Sequence, residues 1–245
     1  GKPAMLGGLD TQPLCAAGLS RYCGCMTASR IPNQRAIIDR RALSDAIAEA
    51  VADKGPQKAR PAVVDLLRKA LAAGREEIAR RLREKPTGGN DSAETQAFLI
   101  DQLIRVIHDH VIRDLYRADN RTAGERLTIM AVGGYGRGEM APHSDLDIAF
   151  LTPLKQTPWC EQVIEAMLYL LWDLSLKVGH SSRSLDDMVR MARSDLTICT
   201  ALLEGRYVWG DQDLFEEARR RFWGEVAAGT ERQFVTDKLA ERNER

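Results

Sequence analysis

The chain has 245 residues, of which 44% are hydrophobic, and its 35 Lys and Arg residues equal its 35 Asp and Glu residues in number. A chain of this length and composition can bury the core of one large domain or two small ones. The balanced charge gives no electrostatic attraction to nucleic acid or to a membrane surface, so neither is expected as a partner. The longest apolar run, residues 167–176, is shorter than a bilayer span and contains Asp173.

The five cysteines indicate a reduced protein rather than a disulfide framework. Cys15, Cys23 and Cys25 lie near the N-terminus, with a spacing that matches no familiar zinc pattern. Cys160 and Cys199 lie in apolar, helix-like segments and are interpreted as buried thiols. These observations favour a cytoplasmic location. Residues 1–25 lack periodicity and a signal-peptide pattern, and are predicted to be a disordered tail or an upstream extension.

The first half of the chain, residues 26–120, is predicted to be helical. Apolar residues recur at helical spacing in residues 42–52 and 61–84. A third helix is predicted to start at Ser92, as its N-cap, and to run to about residue 115. His108 and His110 lie two positions apart on this helix, where side chains diverge, so they are interpreted as surface or packing residues rather than metal ligands.

The pattern changes near residue 126, where a β-rich core is predicted over residues 121–210. A strand at residues 127–132 stops at two glycines, and a second strand covers residues 145–151. Because side chains alternate along a strand, Asp145 and Asp147 share one face, and Leu146 and Ile148 share the other. Two adjacent carboxylates repel each other unless a cation lies between them.

The remaining elements complete a prediction of an α+β fold with a small mixed sheet between N-terminal and C-terminal helices. A strand is predicted at residues 177–183, with Ser184 and Asp195 as N-caps of the helices that follow. Residues 211–245 are predicted as a helical segment that leads to a missing C-terminal part. The helices predicted in this half cover residues 159–177, 184–193, 196–208 and 214–228.

The glycine-rich segment before the two aspartates does not fit two common phosphate-binding motifs. A P-loop requires a lysine and a helix after its last glycine, and this segment has neither. The dinucleotide-binding motif requires Gly-x-Gly-x-x-Gly at the start of a helix, and the spacing of Gly134, Gly136 and Gly138 differs from it.

A glycine turn followed about ten residues later by Asp-x-Asp on a strand resembles the nucleotidyltransferase superfamily typified by DNA polymerase beta. The full string over residues 133–148 is similar to the N-terminal catalytic domain of the bifunctional uridylyltransferase/uridylyl-removing enzymes that modify the PII signal protein. The resemblance runs from about residue 60 to the end and includes further short stretches. These stretches are Trp172-Asp173-Leu174, Val178-Gly179-His180-Ser181, Asp195-Leu196-Thr197, Leu202-Leu203-Glu204-Gly205-Arg206 and Lys238-Leu239-Ala240-Glu241-Arg242.

The resemblance implies a reaction and roles for the motif residues. Asp145 and Asp147 would bind Mg²⁺ and carry catalysis, and UTP would give UMP to a tyrosine of PII with release of pyrophosphate. In the full-length relatives an HD domain, expected to be absent here, removes the UMP. The residues expected to contact the nucleotide are Gly133, Gly134, Gly136, Arg137 and Ser144.

Several alternatives stay open from the residues alone. Gly133 and Gly134 could merely form a turn, and Tyr135 could stack on a base or pack in the core. Related enzymes often carry a third carboxylate where this chain has His180 and Ser181. The weaker candidates for that third carboxylate are Asp186, Asp195 and Glu204.

Two alternatives compete with the hypothesis of a uridylyltransferase. The first alternative is a sister nucleotidyltransferase that uses ATP on another acceptor, because an Asp-x-Asp pair does not distinguish the bases. The second is a nucleotide-binding module without turnover, since the sequence offers only one pair of carboxylates at the motif.

Overall fold

A computed structural model describes residues 31–118 and 122–244 of the chain. In these residues four strands form one mixed sheet, and helices cover both of its faces. The predicted α+β class is confirmed, and the arrangement is consistent with the polymerase-beta-like type that the resemblance implies. The predicted tail at residues 1–25, with Cys15, Cys23 and Cys25, lies outside the described residues.

The N-terminal half is helical, as its apolar spacing predicts. Its buried side chains recur every three or four residues and pack into one cluster with the sheet. No helix among the described residues is both long and apolar enough to cross a membrane. The elements are α1 (Gln34–Ile37), α2 (Arg40–Lys54), α3 (Arg60–Glu84) and α4 (Gly89–His110), which continues as a π-helical turn (Val111–Leu115).

Helix α4 begins three residues before the predicted N-cap, so the prediction for Ser92 is wrong. Gly88 is the N-cap, and Asp91 lies in the first turn. The Asp91 carboxylate also accepts a hydrogen bond from Lys85 Nζ at 2.9 Å. A negative charge in the first turn is favourable beside the exposed N–H groups of a helix, and it extends the helix into a segment whose composition suggests a loop.

The sheet has the order β3-β2-β1-β4, with β1 antiparallel to β2 and β4, and β2 parallel to β3. Ala131 at the end of one strand aligns with Ile148 near the start of the next. The end of β1 and the starts of its three companion strands therefore meet at one edge of the sheet. The strands are β1 (Thr128–Ala131), β2 (Leu146–Thr152), β3 (Val178–Ser184) and β4 (Arg206–Gly210).

Four helices of the second half, residues 122–244, begin at a side-chain N-cap. Thr157, Ser184 and Asp195 each accept a hydrogen bond from the backbone of the first turn, which confirms the two caps predicted at Ser184 and Asp195. A 3₁₀ turn (Ala123–Glu125) precedes β1, and a π-helical turn (Phe222–Ala227) follows the fifth helix of this half. The helices are α5 (Gly133–Gly136), α6 (Pro158–Asp173), α7 (Leu185–Ser194), α8 (Leu196–Leu203), α9 (Gln212–Arg221) and α10 (Glu231–Asn243).

The helix predicted over residues 196–208 is wrong in its second half. Helix α8 ends at Leu203, and the chain reverses at Gly205 into β4, where Tyr207 pairs with Met130 of β1. Tyr, Val and Trp occupy the centre of β4, and these side chains favour a pleated, half-buried strand. The pairing that stabilises β4 comes from a strand about 75 residues away, so local apolar spacing did not indicate it.

The alternation predicted for β2 is confirmed by the two apolar clusters. Ile148 and Phe150 pack with α4 and α6 on one face of the sheet. Ala149 and Leu151 pack with α7 and α9 on the other. Because β2 has an apolar partner on each face, its register is fixed, and the orientation of Asp147 is fixed with it.

The burial of β2 predicts a difference between two leucines three positions apart. Leu151→Ala should lower the free energy of unfolding by about 2–5 kcal/mol, because Leu151 is 1% exposed and its removal leaves a cavity. Leu154→Ala makes the same chemical change at a side chain that is 63% exposed, and should change it by less than about 0.5 kcal/mol. Chemical denaturation of both variants checks this, and equal losses would contradict it.

Candidate active site

The glycine turn and the aspartate pair lie side by side at one edge of the sheet. Strand β1 ends at Ala131, and the backbone N–H of Val132 donates to the carbonyl oxygen of Asp147 at 3.1 Å. Gly133 follows at once and begins the single helical turn α5. Antiparallel pairing of β1 with β2 therefore brings the end of one strand, with its glycines, to the start of the other, with its carboxylates.

Two glycines leave the space that the Asp147 carboxylate occupies. A Cβ atom placed on Gly133 would lie 3.4 Å from Asp147 Oδ2, and Gly133 itself has a positive φ of 60°. A Cβ atom placed on Gly179, the register partner of Asp147 on β3, would collide with Asp147 Oδ1. The carboxylate thus lies between the backbones of the turn and the neighbouring strand, at a position that side chains at 133 or 179 would restrict.

The electrostatics of the pair disfavour two negative charges. Asp147 is half-buried and Asp145, which directly precedes β2, is exposed. Burial and, to a lesser degree, the charge of Asp145 raise the pKa of Asp147 above its usual value. The ionised pair therefore costs free energy in the folded protein, and a bound cation would remove that cost.

The donor set fits Mg²⁺ better than a cation that needs a complete protein cage. Mg²⁺ commonly binds one or two carboxylates together with substrate phosphates and retains several waters. The part of the chain that the structure describes contains no group of three or more His, Cys, Asp or Glu side chains arranged to hold a metal. Asp145 and Asp147 supply two hard oxygen donors, which leaves further ligand positions to phosphate and water.

The three weaker candidates for a third carboxylate have other partners. Asp186 accepts a hydrogen bond from Arg221 at 2.7 Å. Asp195 caps α8 by accepting from the backbone of Thr197 and Ile198. Glu204 forms an ion pair with an arginine of the glycine turn, described below. None of the three lies with the Asp pair in a metal-holding group among the described residues, so the third carboxylate stays unassigned.

The glycine turn is fixed to the rest of the domain by a buried polar network. Tyr135 is 2% exposed, and its hydroxyl donates to Asp101 Oδ1 of α4 at 2.6 Å. Arg206 of β4 donates to both oxygens of the same carboxylate, at 2.7 and 3.1 Å. Burial first, and then the charge of Asp101, raise the pKa of Tyr135, which keeps its phenol protonated as a donor. Of the two alternatives for Tyr135, core packing is confirmed.

Packing requires a glycine at position 136, in addition to the predicted place of Gly136 in the nucleotide site. It is buried, and a Cβ atom there would lie 3.0 Å from the carbonyl oxygen of Ala131 and would collide with that of Glu204. The end of α8 therefore packs directly against the backbone of the glycine turn. The contact of Gly136 with nucleotide stays a prediction, as it does for Gly133, Gly134 and Ser144, an exposed residue immediately before the aspartates.

Arg137, predicted to contact the nucleotide, already has two acidic neighbours. Its Nε donates to Glu139 at 3.1 Å, and its Nη1 lies 2.7 Å from Glu204 Oε1. Hydrogen bonds to Glu139 and Glu204 and the charges of both carboxylates raise the pKa of the guanidinium, so Arg137 remains a cation beside the turn.

One His-Asp dipeptide, His108-Asp109, occurs at the end of α4, and its contacts are structural. The Asp109 carboxylate lies 3.1 Å from the His108 ring and accepts a hydrogen bond from Trp209 Nε1 at 2.6 Å. His110 lies 2.8 Å from Asp114. Both histidines are buried, which confirms the packing interpretation.

Sequence reasoning missed Asp101, Arg206 and the role of Gly179. Asp101 and Arg206 are 105 positions apart and meet only because β4 joins the sheet beside α4. One signal was present, since a buried carboxylate on the apolar stripe of α4 requires a cationic or donor partner. Gly179 lies in one of the short stretches that carry the family resemblance. Glycine is needed there because the Asp147 carboxylate on the adjacent strand occupies the space of a side chain.

The chain closely resembles curated proteins over most of its length. It is 70% identical over 216 residues to the bifunctional uridylyltransferase/uridylyl-removing enzyme of Novosphingobium aromaticivorans, which covers 88% of the chain and 24% of that protein. Proteins of the same name match from Erythrobacter litoralis (61% over 220 residues, 90% of the chain and 24% of the relative) and Rhodospirillum rubrum (50% over 224 residues, with the same two shares). No known family profile matches.

The chain spans about a quarter of the length of these relatives, and the match falls in their N-terminal region. The matched residues include the sheet, the glycine turn and the aspartate pair, because about 90% of the chain is covered. Identity of 50–70% over more than 200 residues indicates common descent. Over this region, the chain is a homologue of the N-terminal part of the bifunctional uridylyltransferase/uridylyl-removing enzymes.

Proposed function

We propose that this domain transfers UMP from UTP to a tyrosine hydroxyl of the PII signal protein, with release of pyrophosphate and dependence on Mg²⁺. The single observation that carries the proposal is the Asp147 carboxylate beside Asp145, half-buried between Gly133 and Gly179. The names of the relatives support uridylyl transfer. The free thiols of Cys160 and Cys199 are in keeping with the cytoplasmic location that we also propose.

In the proposed reaction the tyrosine oxygen forms a bond to the α-phosphorus of UTP, the bond from that phosphorus to the β-phosphate bridging oxygen breaks, and the hydroxyl proton is lost to a base. Asp145 and Asp147 would hold Mg²⁺, which when bound neutralises charge on the triphosphate. The backbone of Gly133 and Gly134 leaves room for phosphate oxygens to approach. Arg137 supplies a fixed positive charge at the same edge.

The nucleotide preference is tested directly by product formation. We expect the purified chain with Mg²⁺, PII and radiolabelled UTP to label PII and release pyrophosphate, with labelled ATP giving little product. The full-length relative from Novosphingobium aromaticivorans serves as the positive reference for the assay. Exclusive use of ATP would favour the sister nucleotidyltransferase. Mg²⁺-dependent nucleotide binding by this chain without pyrophosphate release, while the reference enzyme is active, would favour a binding module.

The aspartate pair gives a second prediction. Asp145→Asn and Asp147→Asn should each reduce pyrophosphate release roughly 100-fold or more, because the charge stabilisation supplied by a bound metal is about several kcal/mol. The folded Asp147 has a raised pKa, so its ionised form destabilises the fold at neutral pH, and Asp147→Asn should leave the melting temperature unchanged or higher. Asp213→Asn, at an exposed position of α9, is the matched control. Full activity of Asp147→Asn would exclude it from the metal site.

The space beside Asp147 gives a third prediction. Gly179→Ala should lower transfer on the order of 100-fold, because the new methyl group turns the Asp147 carboxylate away from its position. The displaced atom is the tip of a side chain, so the melting temperature should fall only slightly. Gly224→Ala adds the same methyl group where nothing lies within 4 Å and should keep full activity. Equal activities of the two variants would contradict the proposed geometry.

A further inference from the structure

Arg137 presents one nitrogen to the glycine turn while carboxylates hold the other two. Its Nε and Nη1 bind Glu139 and Glu204. Its Nη2 lies 3.7 Å from the position that a Cβ atom on Gly134 would occupy, and within residues 31–118 and 122–244 this nitrogen donates no hydrogen bond. Because a guanidinium is planar, contacts that fix Nε and Nη1 also fix the direction in which Nη2 points.

Of the two carboxylates, Glu204 is the one with a fixed position. Its side chain is 24% exposed, whereas that of Glu139 is 65% exposed. Its carbonyl packs against Gly136, and two residues later Arg206 is bound by the buried carboxylate of Asp101. The backbone that carries Glu204 is therefore attached to the same turn that carries Arg137. The distance of 2.7 Å between Glu204 Oε1 and Arg137 Nη1 is that of a short, charge-assisted hydrogen bond.

We infer that Glu204 is a positioning residue, which holds the Arg137 guanidinium so that Nη2 faces the triphosphate on the glycine turn. This inference rests on the proposed function. A free arginine side chain loses rotamer entropy when it binds phosphate, and a pre-existing ion pair removes part of that loss. The opposite role, in which the negative charge of Glu204 repels the triphosphate and occupies Arg137, predicts tighter nucleotide binding when Glu204 is neutralised.

Four substitutions at three residues separate these roles. Glu204→Ala should raise KM for UTP about three- to tenfold, the factor equivalent to ordering one long side chain, with a smaller change in kcat. Glu204→Gln keeps an oxygen acceptor for Nη1 and should restore much of the affinity. In an Arg137→Ala background, Glu204→Ala should have no further effect on KM, because Glu204 acts through Arg137. Glu139→Ala, at the more exposed carboxylate, is the matched control and should raise KM less.

The outcomes distinguish this inference from the proposed function. Lack of pyrophosphate release by the wild-type protein, with an active full-length relative, overturns both. A wild-type protein that transfers UMP, together with unchanged KM for Glu204→Ala or a lower KM for both Glu204 variants, overturns the positioning role alone. An equal rise in KM for Glu204→Ala with and without Arg137 also overturns it. Melting curves of the Gln variant show whether a change in KM arises from loss of the fold.

Discussion

A carboxylate withdrawn from water beside a second carboxylate is the constraint around which this domain is arranged. Asp147 gains no stability from this position, since burial and Asp145 both raise its pKa. The fold maintains it through the backbone, because Val132, directly after β1, donates a hydrogen bond to the Asp147 carbonyl and apolar side chains fix β2 on both faces. A locally unfavourable arrangement supported by surrounding structure is typical of functional sites.

The support of the glycine turn is equally specific. A turn rich in glycine has little conformational preference of its own, because glycine populates many backbone conformations. In this protein Tyr135 connects the turn to α4 through Asp101, and Arg206 connects the same carboxylate to β4. A buried Arg–carboxylate pair with an added phenol donor satisfies most of its polar atoms, and this favours one geometry over alternatives. The turn is thereby rigid without side chains of its own near the Asp147 carboxylate.

Much of the fold followed from local patterns, and the failures share one physical cause. The spacing of apolar residues in α2, α3 and β2, and the caps Ser184 and Asp195, depend on neighbours within a few residues, so the sequence predicted them. Strand β4 depends on pairing with a distant strand, and its segment was assigned to a helix. The start of α4 was misplaced because residues 89–91 have a loop-like composition, although they form the first turn of the helix.

The same distinction applies to the candidate site. The alternation of β2 predicted the common face of Asp145 and Asp147 without knowledge of the tertiary fold. The contacts of Arg137 with Glu204, and of Asp101 with Arg206, join residues about 70 to 100 positions apart. No spacing rule connects such residues, and their roles required the packed domain.

Strand β3 lies at the margin of the sheet, with β2 on one side only, and this position bears on how the site can diversify during evolution. Ser181 pairs with Ala149 in the register that places Gly179 beside Asp147, so these four residues share a face. Ser181 is only partly buried, and a marginal strand tolerates new polar side chains more readily than a central one. A single substitution at this position could add an acidic or basic group near the paired aspartates while the interior stays intact. New functional side chains can therefore be added on the edge strand β3, without change to the strands that hold Asp147 in place.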